Sequence, residues 1–240
     1  MEDRNKVALI TGGSKGIGLG VAEAMVKENY HVAITSRNKE EGEAAAAYLN
    51  NINGGDAAYF QVDVRDLDAQ QKCVREILDQ WGRIDVVIAN AGVGHFASID
   101  EMTAGQWNDV IDINLTGVFN TTKASLDALK KSRGYLITIA SLAGTNFFAG
   151  GAAYNASKFG LVGFTQAVML DVRGDGVKVS TIMPGSVATY FNNHVPGEAD
   201  AWKIQPEDIG RIVMDLLHMD PRTLPSKIEV RPSVPPSARK

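Results

Sequence analysis

The chain has 240 residues, 45% of them hydrophobic, and a formal net charge of −4; this suits a single globular domain over residues 1–240. Because the negative balance comes without a basic stripe, neither nucleic acid nor a membrane surface is an expected partner. No apolar stretch reaches the roughly 20 residues that span a bilayer, and no signal-peptide core precedes the first strand, so we expect a cytoplasmic protein.

Cysteine and histidine usage bounds the chemistry further. Cys73 is the only cysteine, which excludes an internal disulfide, and its place in a helical pattern favours a packed thiol over a reactive one. The four histidines lack the spacing of metal ligands, so we expect no structural metal.

Short β-branched apolar runs alternate along the chain with longer amphipathic segments. Strands are predicted at Val7–Thr11, His31–Ser36, Ala57–Val62, Asp85–Ala89, Tyr135–Ala140, Lys178–Met183 and Lys227–Val230. Helical patterns cover residues 17–28, 39–51, 67–81, 103–131, 152–173 and 206–218. Strands separated by helices pair in parallel through right-handed crossovers. The pattern therefore predicts a Rossmann-type, doubly wound α/β fold with a mainly parallel seven-stranded sheet, whose ligand binds at the carboxyl ends of the strands.

A glycine-rich turn, TGGSKGIG at 11–18, follows the first predicted strand. Glycines remove Cβ atoms where a backbone approaches a phosphate, and the following helix aims its free N–H groups at that anion. We therefore expect a dinucleotide to bind here, although tight strand-to-helix turns also occur in sheets of other functions. The expected contacts are Gly12, Ser14, Lys15, Gly16, Ile17 and Gly18.

The tip of the second strand bears on the choice of cofactor. An NAD site places a carboxylate there, about 20 residues past the loop, for the ribose 2′-hydroxyl. This chain instead has Ser36 and Arg37, a hydroxyl and a planar cation that suit a 2′-phosphate. With Lys15 facing the same corner, the pattern favours NADP(H) over NAD(H). Ordinary surface charges would explain either cation alone but not the missing acid.

Two further strand ends supply candidate cofactor contacts. Asp63 and Val64 follow the third strand, where the carboxylate could accept from the adenine amino group or cap the next helix, although Asp66 is closer to that second task. Asn90, Ala91 and Gly92 follow the fourth strand. They form either a close passage for the cofactor, with Asn90 tying neighbouring strands, or a simple turn.

Tyr154 and Lys158 lie four residues apart at the start of a predicted helix and therefore on one face. A nearby ammonium favours the phenolate and lowers the tyrosine pKa, which predicts an acid or base usable at neutral pH. Ser141 ends the fifth strand, so its hydroxyl could join that of Tyr154 on one carbonyl oxygen. The alternative is a solvated pair on a helix surface.

Six motifs occur in a characteristic order: Thr11-Gly12-x-x-x-Gly16-x-Gly18, Asn90-Ala91-Gly92, Asn114, Ser141, Tyr154-x-x-x-Lys158 and Pro184-Gly185. In them the chain resembles the short-chain dehydrogenase/reductase family over essentially its whole length. The resemblance implies that Tyr154 is the catalytic acid/base, that Ser141 orients the substrate carbonyl, and that Lys158 binds the nicotinamide ribose and lowers the tyrosine pKa. It also implies that Asn114 holds a water linking Lys158 to solvent.

The resemblance further implies that Pro184, Gly185, the Val187 backbone and the Thr189 hydroxyl contact the nicotinamide. Two positions depart from the family pattern. Ala89 precedes Asn90 where many members double the asparagine, a change of little expected consequence. The ending Ile228–Pro232 lacks the glycine-rich sequence of the bacterial ketoacyl-carrier reductases, which weakens a role in fatty-acid synthesis.

Two irregular regions remain. The segment 184–205 is long for a connection, and we expect residues 186–205 to form a substrate flap; residues 232–240 are an expected irregular tail. Candidate lining of a largely apolar substrate pocket is His95, Phe96, Ala143, Phe147, Phe148, Tyr190, Phe191 and Trp202, with core packing as the competing explanation.

The function expected is NADP(H)-dependent interconversion of a small-molecule carbonyl and a secondary alcohol, chiefly as a reductase. The alternatives are a dehydrogenase of an alcohol, sugar or steroid, and a non-catalytic nucleotide sensor. Because helices 103–131 and 152–173 pair subunits in relatives, the resemblance also implies a homodimer or homotetramer.

Overall fold

Seven parallel strands form the central sheet in the computed structural model, which describes residues 5–235. The strands are β1 (Val7–Thr11), β2 (His31–Ser36), β3 (Ala57–Gln61), β4 (Val86–Ala89), β5 (Tyr135–Ile139), β6 (Lys178–Pro184) and β7 (Lys227–Val230). They lie in the order β3-β2-β1-β4-β5-β6-β7. The order reverses between β1 and β4, so the crevice that binds ligands in such sheets opens at the carboxyl ends of these two strands.

Seven α-helices cover the two faces of the sheet over the described residues. They are α1 (Gly16–Lys27), α2 (Lys39–Asn50), α3 (Leu67–Trp81), α4 (Ala104–Ile111), α5 (Gly117–Ser132), α6 (Ala152–Val172) and α7 (Pro206–His218). Single 3₁₀ turns occur at Leu142–Gly144, Arg173–Asp175, Phe191–Asn193 and Glu198–Asp200. None of the helices within 5–235 is long and apolar enough to cross a membrane.

The sheet separates two hydrophobic cores because alternate strand residues point to opposite faces. Ala8 and Ile10 of β1 pack with side chains of α1, α2 and α7. Val7 and Leu9 of the same strand pack with α3, α5 and α6 on the other face. Burying one such large apolar side chain contributes about 1.5–3 kcal/mol, so both layers hold the strand ends in fixed register.

The elements match the sequence prediction within one residue at each end, with one correction. The pattern at 103–131 predicted one helix, but α4 and α5 are separated by a π-helical segment, Asp112–Thr116. A π segment inserts one extra residue per turn and is found mostly at functional sites. Here it contains Asn114, and a hydrophobic period alone could not have revealed it.

The prediction that Cys73 is a packed thiol is confirmed. Cys73 is buried in α3, and burial raises the pKa of its thiol to about 12, so the thiol is a packed group.

Residues 231–235 have no regular secondary structure, and the rest of the predicted tail, 236–240, lies outside the described residues.

Candidate active site

A cavity of about 990 Å³ opens at the carboxyl edge of the sheet. It lies between the turn after β1 and the segment after β6. Of the residues predicted to act in binding or catalysis, those lining it are Gly12, Ser14, Lys15, Gly16, Ile17, Ser36, Arg37, Asp63, Val64, Asn90, Ala91, Gly92, Ser141, Tyr154, Lys158, Pro184, Gly185, Val187 and Thr189. Gly18 and Asn114 are the exceptions, and both are buried beside the cavity.

The glycine-rich turn has the backbone that its sequence predicts. Gly12 and Gly16 have φ angles of +64° and +57°, which side chains rarely tolerate. Gly18 serves packing instead: a Cβ there would lie 2.3 Å from the Gly12 carbonyl oxygen. Helix α1 can therefore start directly beneath the turn.

The start of α1 fits a phosphate group. Lys15 is the N-cap residue of α1, and its side chain has no acceptor with which to cap the first N–H groups, which stay available to an anion. The buried Thr35 hydroxyl at the end of β2 also lines the cavity and has no hydrogen-bond partner in the described part of the chain. Free donors and a wall without Cβ atoms suit the diphosphate of a dinucleotide.

Asn90 ties the turn to the end of β4. Its Nδ2 donates to the carbonyl oxygens of Thr11 at 2.9 Å and Gly12 at 3.1 Å. The Thr11 hydroxyl accepts from the backbone N–H groups of Asn90 at 3.0 Å and Ala91 at 3.1 Å. The segment 90–92 is therefore more than a turn, because it fixes the wall of the cavity to β1.

The prediction for the part of the cavity next to the end of β2, where Lys15 and Arg37 lie, requires a correction. Arg37 is exposed, and within residues 5–235 its side chain makes no hydrogen bond or ion pair. The sequence had suggested that no acid lies here, but Glu41 Oε2 is 3.2 Å from Lys15 Nζ, and Glu41 lines the same cavity. Glu41 lies four residues after Arg37, in the first turn of α2. Asn38 caps this turn by accepting a hydrogen bond from the Glu41 N–H.

Asp63 is not a helix cap, since Asp66 caps α3 by accepting from the Ala69 N–H at 2.9 Å. Asp63 instead accepts from the Arg65 guanidinium, which holds the pKa of the carboxyl below its usual range. Arg65 also reaches Asp109 on α4 at 3.4 Å, and Asp109 bonds His95 Nε2 at 2.9 Å. Ion pairs and a histidine–carboxylate hydrogen bond thus connect Asp63, after β3, to the loop after β4.

The π segment presents Asn114 to the same loop. Asn114 Oδ1 accepts from the Val93 N–H at 2.8 Å, and its Nδ2 donates to the Val93 carbonyl at 2.9 Å and to Ser157 Oγ at 3.1 Å. Its side chain is fully buried. A Cβ on Gly92 would lie 3.3 Å from Asn114 Oδ1 and 3.8 Å from Lys158 Nζ, so Asn114 and Lys158 flank one small space.

Ser141 and Tyr154 meet across the cavity. Ser141 follows β5, and its Oγ accepts from the Ala143 N–H at 3.1 Å, which leaves its own proton available for donation. Burial raises the pKa of Tyr154 above its ordinary value, and the nearby Ser141 hydroxyl opposes this only in part. Asn155, the residue after Tyr154, anchors the loop that follows Ser141 by donating hydrogen bonds to the carbonyls of Ala143 and Asn146, both at 2.8 Å.

Lys158 does not act on Tyr154 as the sequence suggested. Its ammonium donates to the Ile139 carbonyl at 2.9 Å and lies 5.8 Å from the centroid of the Tyr154 ring. Burial lowers the pKa of Lys158 to about 8, because a low-dielectric surrounding disfavours its charge. The pKa of Tyr154 is therefore raised in this structure, where the sequence had predicted a fall, because burial outweighs the Ser141 hydroxyl that lowers it.

Two aromatic rings pack against Tyr154. Phe96 and Phe191 have ring centroids 5.5 and 5.6 Å from that of Tyr154, and a Cβ on Gly94 would meet Phe191 at 2.6 Å. Of the predicted apolar lining, His95, Phe96, Tyr190 and Phe191 line the cavity. Ala143, Phe147, Phe148 and Trp202 do not.

The segment predicted as a flap is organised around one buried carboxylate. Asp200 accepts from Lys203 Nζ at 2.6 Å, from the Gly197 N–H at 3.0 Å, and pairs with His194 Nε2 at 2.7 Å. These contacts, that of Lys203 first, hold its pKa well below the usual range. No sequence motif pointed to this cluster, whose members are brought together only by the 3₁₀ turn Glu198–Asp200.

Comparison with known proteins identifies the family of this chain. A family model described as short chain dehydrogenase matches residues 6–199. The chain belongs to this family. It is accordingly an oxidoreductase of the short-chain dehydrogenase type, as the sequence resemblance had implied.

Curated relatives in the family share about a third of their residues with this chain. A 3-oxoacyl-(acyl-carrier-protein) reductase of Synechocystis sp. is 36% identical over 194 residues, which are 80% of this chain and 78% of the relative. The corresponding FabG protein of Vibrio harveyi is 32% identical over 229 residues, 95% of this chain and 90% of the relative.

Solved structures of the family superpose along nearly the whole chain. An alcohol dehydrogenase from the archaeon Thermococcus sibiricus, complexed with 5-hydroxy-NADP, has a TM-score of 0.90 at 28% identity and covers 98% of both chains. A metagenomic short-chain oxidoreductase in complex with NADP has a TM-score of 0.84 at 32% identity, covering 96% of this chain and 98% of its own. These matches confirm the predicted Rossmann-type fold.

Proposed function

We propose that this short-chain dehydrogenase uses NADP(H) and reduces a small-molecule carbonyl to a secondary alcohol. The observation that supports it most is that Ser141 and Tyr154 line the same cavity as Lys15 and Arg37, and that the Arg37 side chain has no ionic partner among residues 5–235. The solved relatives complexed with NADP or its 5-hydroxy form support the same cofactor. The cavity residues fit it through the turn at 12–18 and the free N–H groups of α1.

The bound cofactor supplies the hydride that reaches the carbonyl carbon. Tyr154 gives its phenolic proton to the carbonyl oxygen, and Ser141 donates a hydrogen bond to the same oxygen as negative charge develops there. Burial keeps the pKa of Tyr154 above its ordinary value, so the proton is present at neutral pH. Lys158 and Asn114 flank the space behind Tyr154 and are proposed to return a proton to it through water.

The direction of reaction is tested by comparing rates with the two nicotinamide forms. Faster oxidation of NADPH by ketones than reduction of NADP by the matching alcohols supports a reductase, and the reverse result favours the alternative dehydrogenase of an alcohol, sugar or steroid. A nucleotide sensor would have no use for Ser141, Tyr154 and Lys158 together.

The proposed substrate has an apolar group next to its carbonyl. Phe96 and Phe191 pack against Tyr154, yet their side chains keep 41% and 36% of their surface exposed. Apolar surface left open beside a reacting group is available to a ligand. Residues 186–205, which contain Phe191, are proposed to act as the substrate flap.

We also propose that the chain forms a homodimer or homotetramer through α5 and α6. These helices expose Phe119, Phe159 and Leu170, with exposed fractions of 46%, 44% and 54%, and exposed apolar surface of this kind is available to a subunit interface. Light scattering tests this oligomeric state directly, and a monomer contradicts it.

A cytoplasmic location of the protein stays a prediction.

The function is tested by following NADPH absorbance with a panel of aliphatic, aromatic and acyl-thioester ketones. Oxidation of NADPH by at least one apolar ketone is the expected result, and tight NADPH binding without turnover of any ketone would favour the nucleotide sensor.

Binding of NADPH and NADH to the wild type and to Arg37→Asp tests which cofactor the protein uses. A wild type that prefers NADH contradicts the proposed use of NADP(H).

A further inference from the structure

The ion pair between Lys15 and Glu41 lies inside the cavity, where the negative charge of a 2′-phosphate is expected. Glu41 approaches Lys15 Nζ with both carboxylate oxygens, at 3.2 and 3.4 Å. Both residues line the cavity together with Ser36 and Arg37. One of the two cations proposed to bind the phosphate is therefore already paired with an acid.

The pair is exposed and can be broken by a competing ligand. The side chains of Lys15 and Glu41 keep 53% and 44% of their surface in solvent, and pairs of this kind contribute about 0–1 kcal/mol. Only the Glu41 backbone is fixed, through the hydrogen bond from its N–H to the Asn38 side chain at 3.2 Å. The carboxylate stays near the corner even when it releases Lys15.

The two nicotinamide cofactors meet this carboxylate differently. A phosphate monoester has a charge of about −1.5 to −2 at pH 7, so a 2′-phosphate competes with Glu41 for Lys15 and is repelled by it. A ribose with a free 2′-hydroxyl is neutral and experiences neither effect. Arg37, which lacks an ionic partner among the described residues, attracts the phosphate without such opposition.

We propose that Glu41 is a specificity-determining residue that lowers the preference for NADPH over NADH by competing for Lys15. This inference rests on the proposed use of NADP(H). In this proposal the two cations have different roles. Arg37 favours NADPH by binding its 2′-phosphate, whereas the Lys15–Glu41 ion pair limits the preference for NADPH over NADH.

The test is Glu41→Gln, which keeps the size of the side chain and removes its charge. In calorimetric titrations we expect the NADPH Kd to fall about threefold to tenfold, the NADH Kd to change less than twofold, and the NADPH effect to shrink in 1 M salt. The matched control is Glu43→Gln: Glu43 lies on the same helix, pairs with Lys39 at 3.7 Å and is outside the cavity. It should leave both Kd values unchanged.

A second background tests the competition itself. In Lys15→Met, Glu41→Gln should improve NADPH binding by a smaller factor than in the wild type, because no ammonium remains to be released. The inference is overturned if Glu41→Gln leaves the NADPH Kd unchanged, or if it weakens NADH, which would make Glu41 a partner of the ribose hydroxyl. A wild type that binds neither dinucleotide contradicts the proposed function itself.

Discussion

The Lys158 ammonium donates a 2.9 Å hydrogen bond to the Ile139 carbonyl at the end of β5, which couples helix α6 to the central sheet. No carboxylate among residues 5–235 lies within ion-pair distance of this cation. A buried lysine held by backbone alone has a low pKa, here about 8, so its charge is lost within an accessible pH range.

The first prediction concerns the pH dependence of catalysis. The value of kcat/KM for NADPH reports groups of the free enzyme, and we expect it to fall as the pH rises through about 8, as Lys158 becomes neutral. Tyr154 does not set this limit, because its pKa is raised above its ordinary value. Initial rates from pH 6 to 10, with circular dichroism at each pH to verify folding, measure the profile; a flat profile up to pH 9.5 contradicts the assignment.

The second prediction separates stability from activity at Lys158. Because the folded-state pKa is depressed, the unfolded chain binds more protons between about pH 8 and the ordinary lysine pKa near 10.4, so wild-type stability rises across this window. Below pH 8 the full cost of burying the charge is present. Lys158→Met removes this cost, and we expect it to unfold at no lower urea concentration than the wild type at pH 7 while losing turnover.

The comparison is repeated at pH 9.5. There the wild type should have gained stability relative to Lys158→Met, whose unfolding lacks this titration. A variant that is several kcal/mol less stable than the wild type at pH 7 would show that Lys158 is a structural cation instead.

Asn114 provides a third prediction. Replacing it with alanine leaves the Val93 N–H and C=O groups without their buried partner, which costs about 2–3 kcal/mol of unfolding free energy, and lets the loop after β4 move, so turnover falls as well. The matched control is Asn50→Ala, since Asn50 makes the same two-way contact with Ala57, both bonds 2.8 Å, away from the cavity. Urea denaturation and initial rates measure both effects. Unchanged turnover in a folded Asn114→Ala protein argues against a part in catalysis.

The substrate proposal gives a fourth prediction. Phe191→Ala removes apolar surface beside Tyr154, and we expect the KM for an apolar ketone to rise about tenfold or more, with a smaller effect on kcat, because a fully buried phenyl ring contributes about 1.5–3 kcal/mol. Phe147→Ala is the control, since Phe147 is 87% exposed and does not line the cavity. Equal effects of the two substitutions would contradict the proposed contact.

Local patterns were enough to predict the sheet and the wall of the cofactor cavity. The alternation that places Ala8 and Ile10 on one face and Val7 and Leu9 on the other is visible in four residues of sequence. Likewise, the turn at 11–18 and the pair Tyr154 and Lys158 are each contained in a short segment. Such features depend on neighbours along the chain, which a single sequence displays.

Features that depend on distant contacts could not be predicted in this way. The raised pKa of Tyr154 follows from burial by Phe96 and Phe191, and the clustering of His194 and Lys203 on Asp200 follows from the path of a loop. Glu41 is the instructive case: Asn38-x-x-Glu41 is a capping pattern, so the first turn of α2 was visible. That this turn reaches Lys15 depends on how α2 packs beside α1.

The most direct test of the whole account is Tyr154→Phe, with Tyr48→Phe as the control, since Tyr48 is exposed and does not line the cavity. NADPH oxidation is followed with the best ketone of the panel, and NADPH binding is measured in parallel. We expect Tyr154→Phe to lose about 10²- to 10⁴-fold in kcat while binding NADPH as the wild type does, and Tyr48→Phe to keep the turnover of the wild type. If Tyr154→Phe retains more than a few per cent of wild-type turnover, Tyr154 is not the proton donor and the proposed mechanism is wrong.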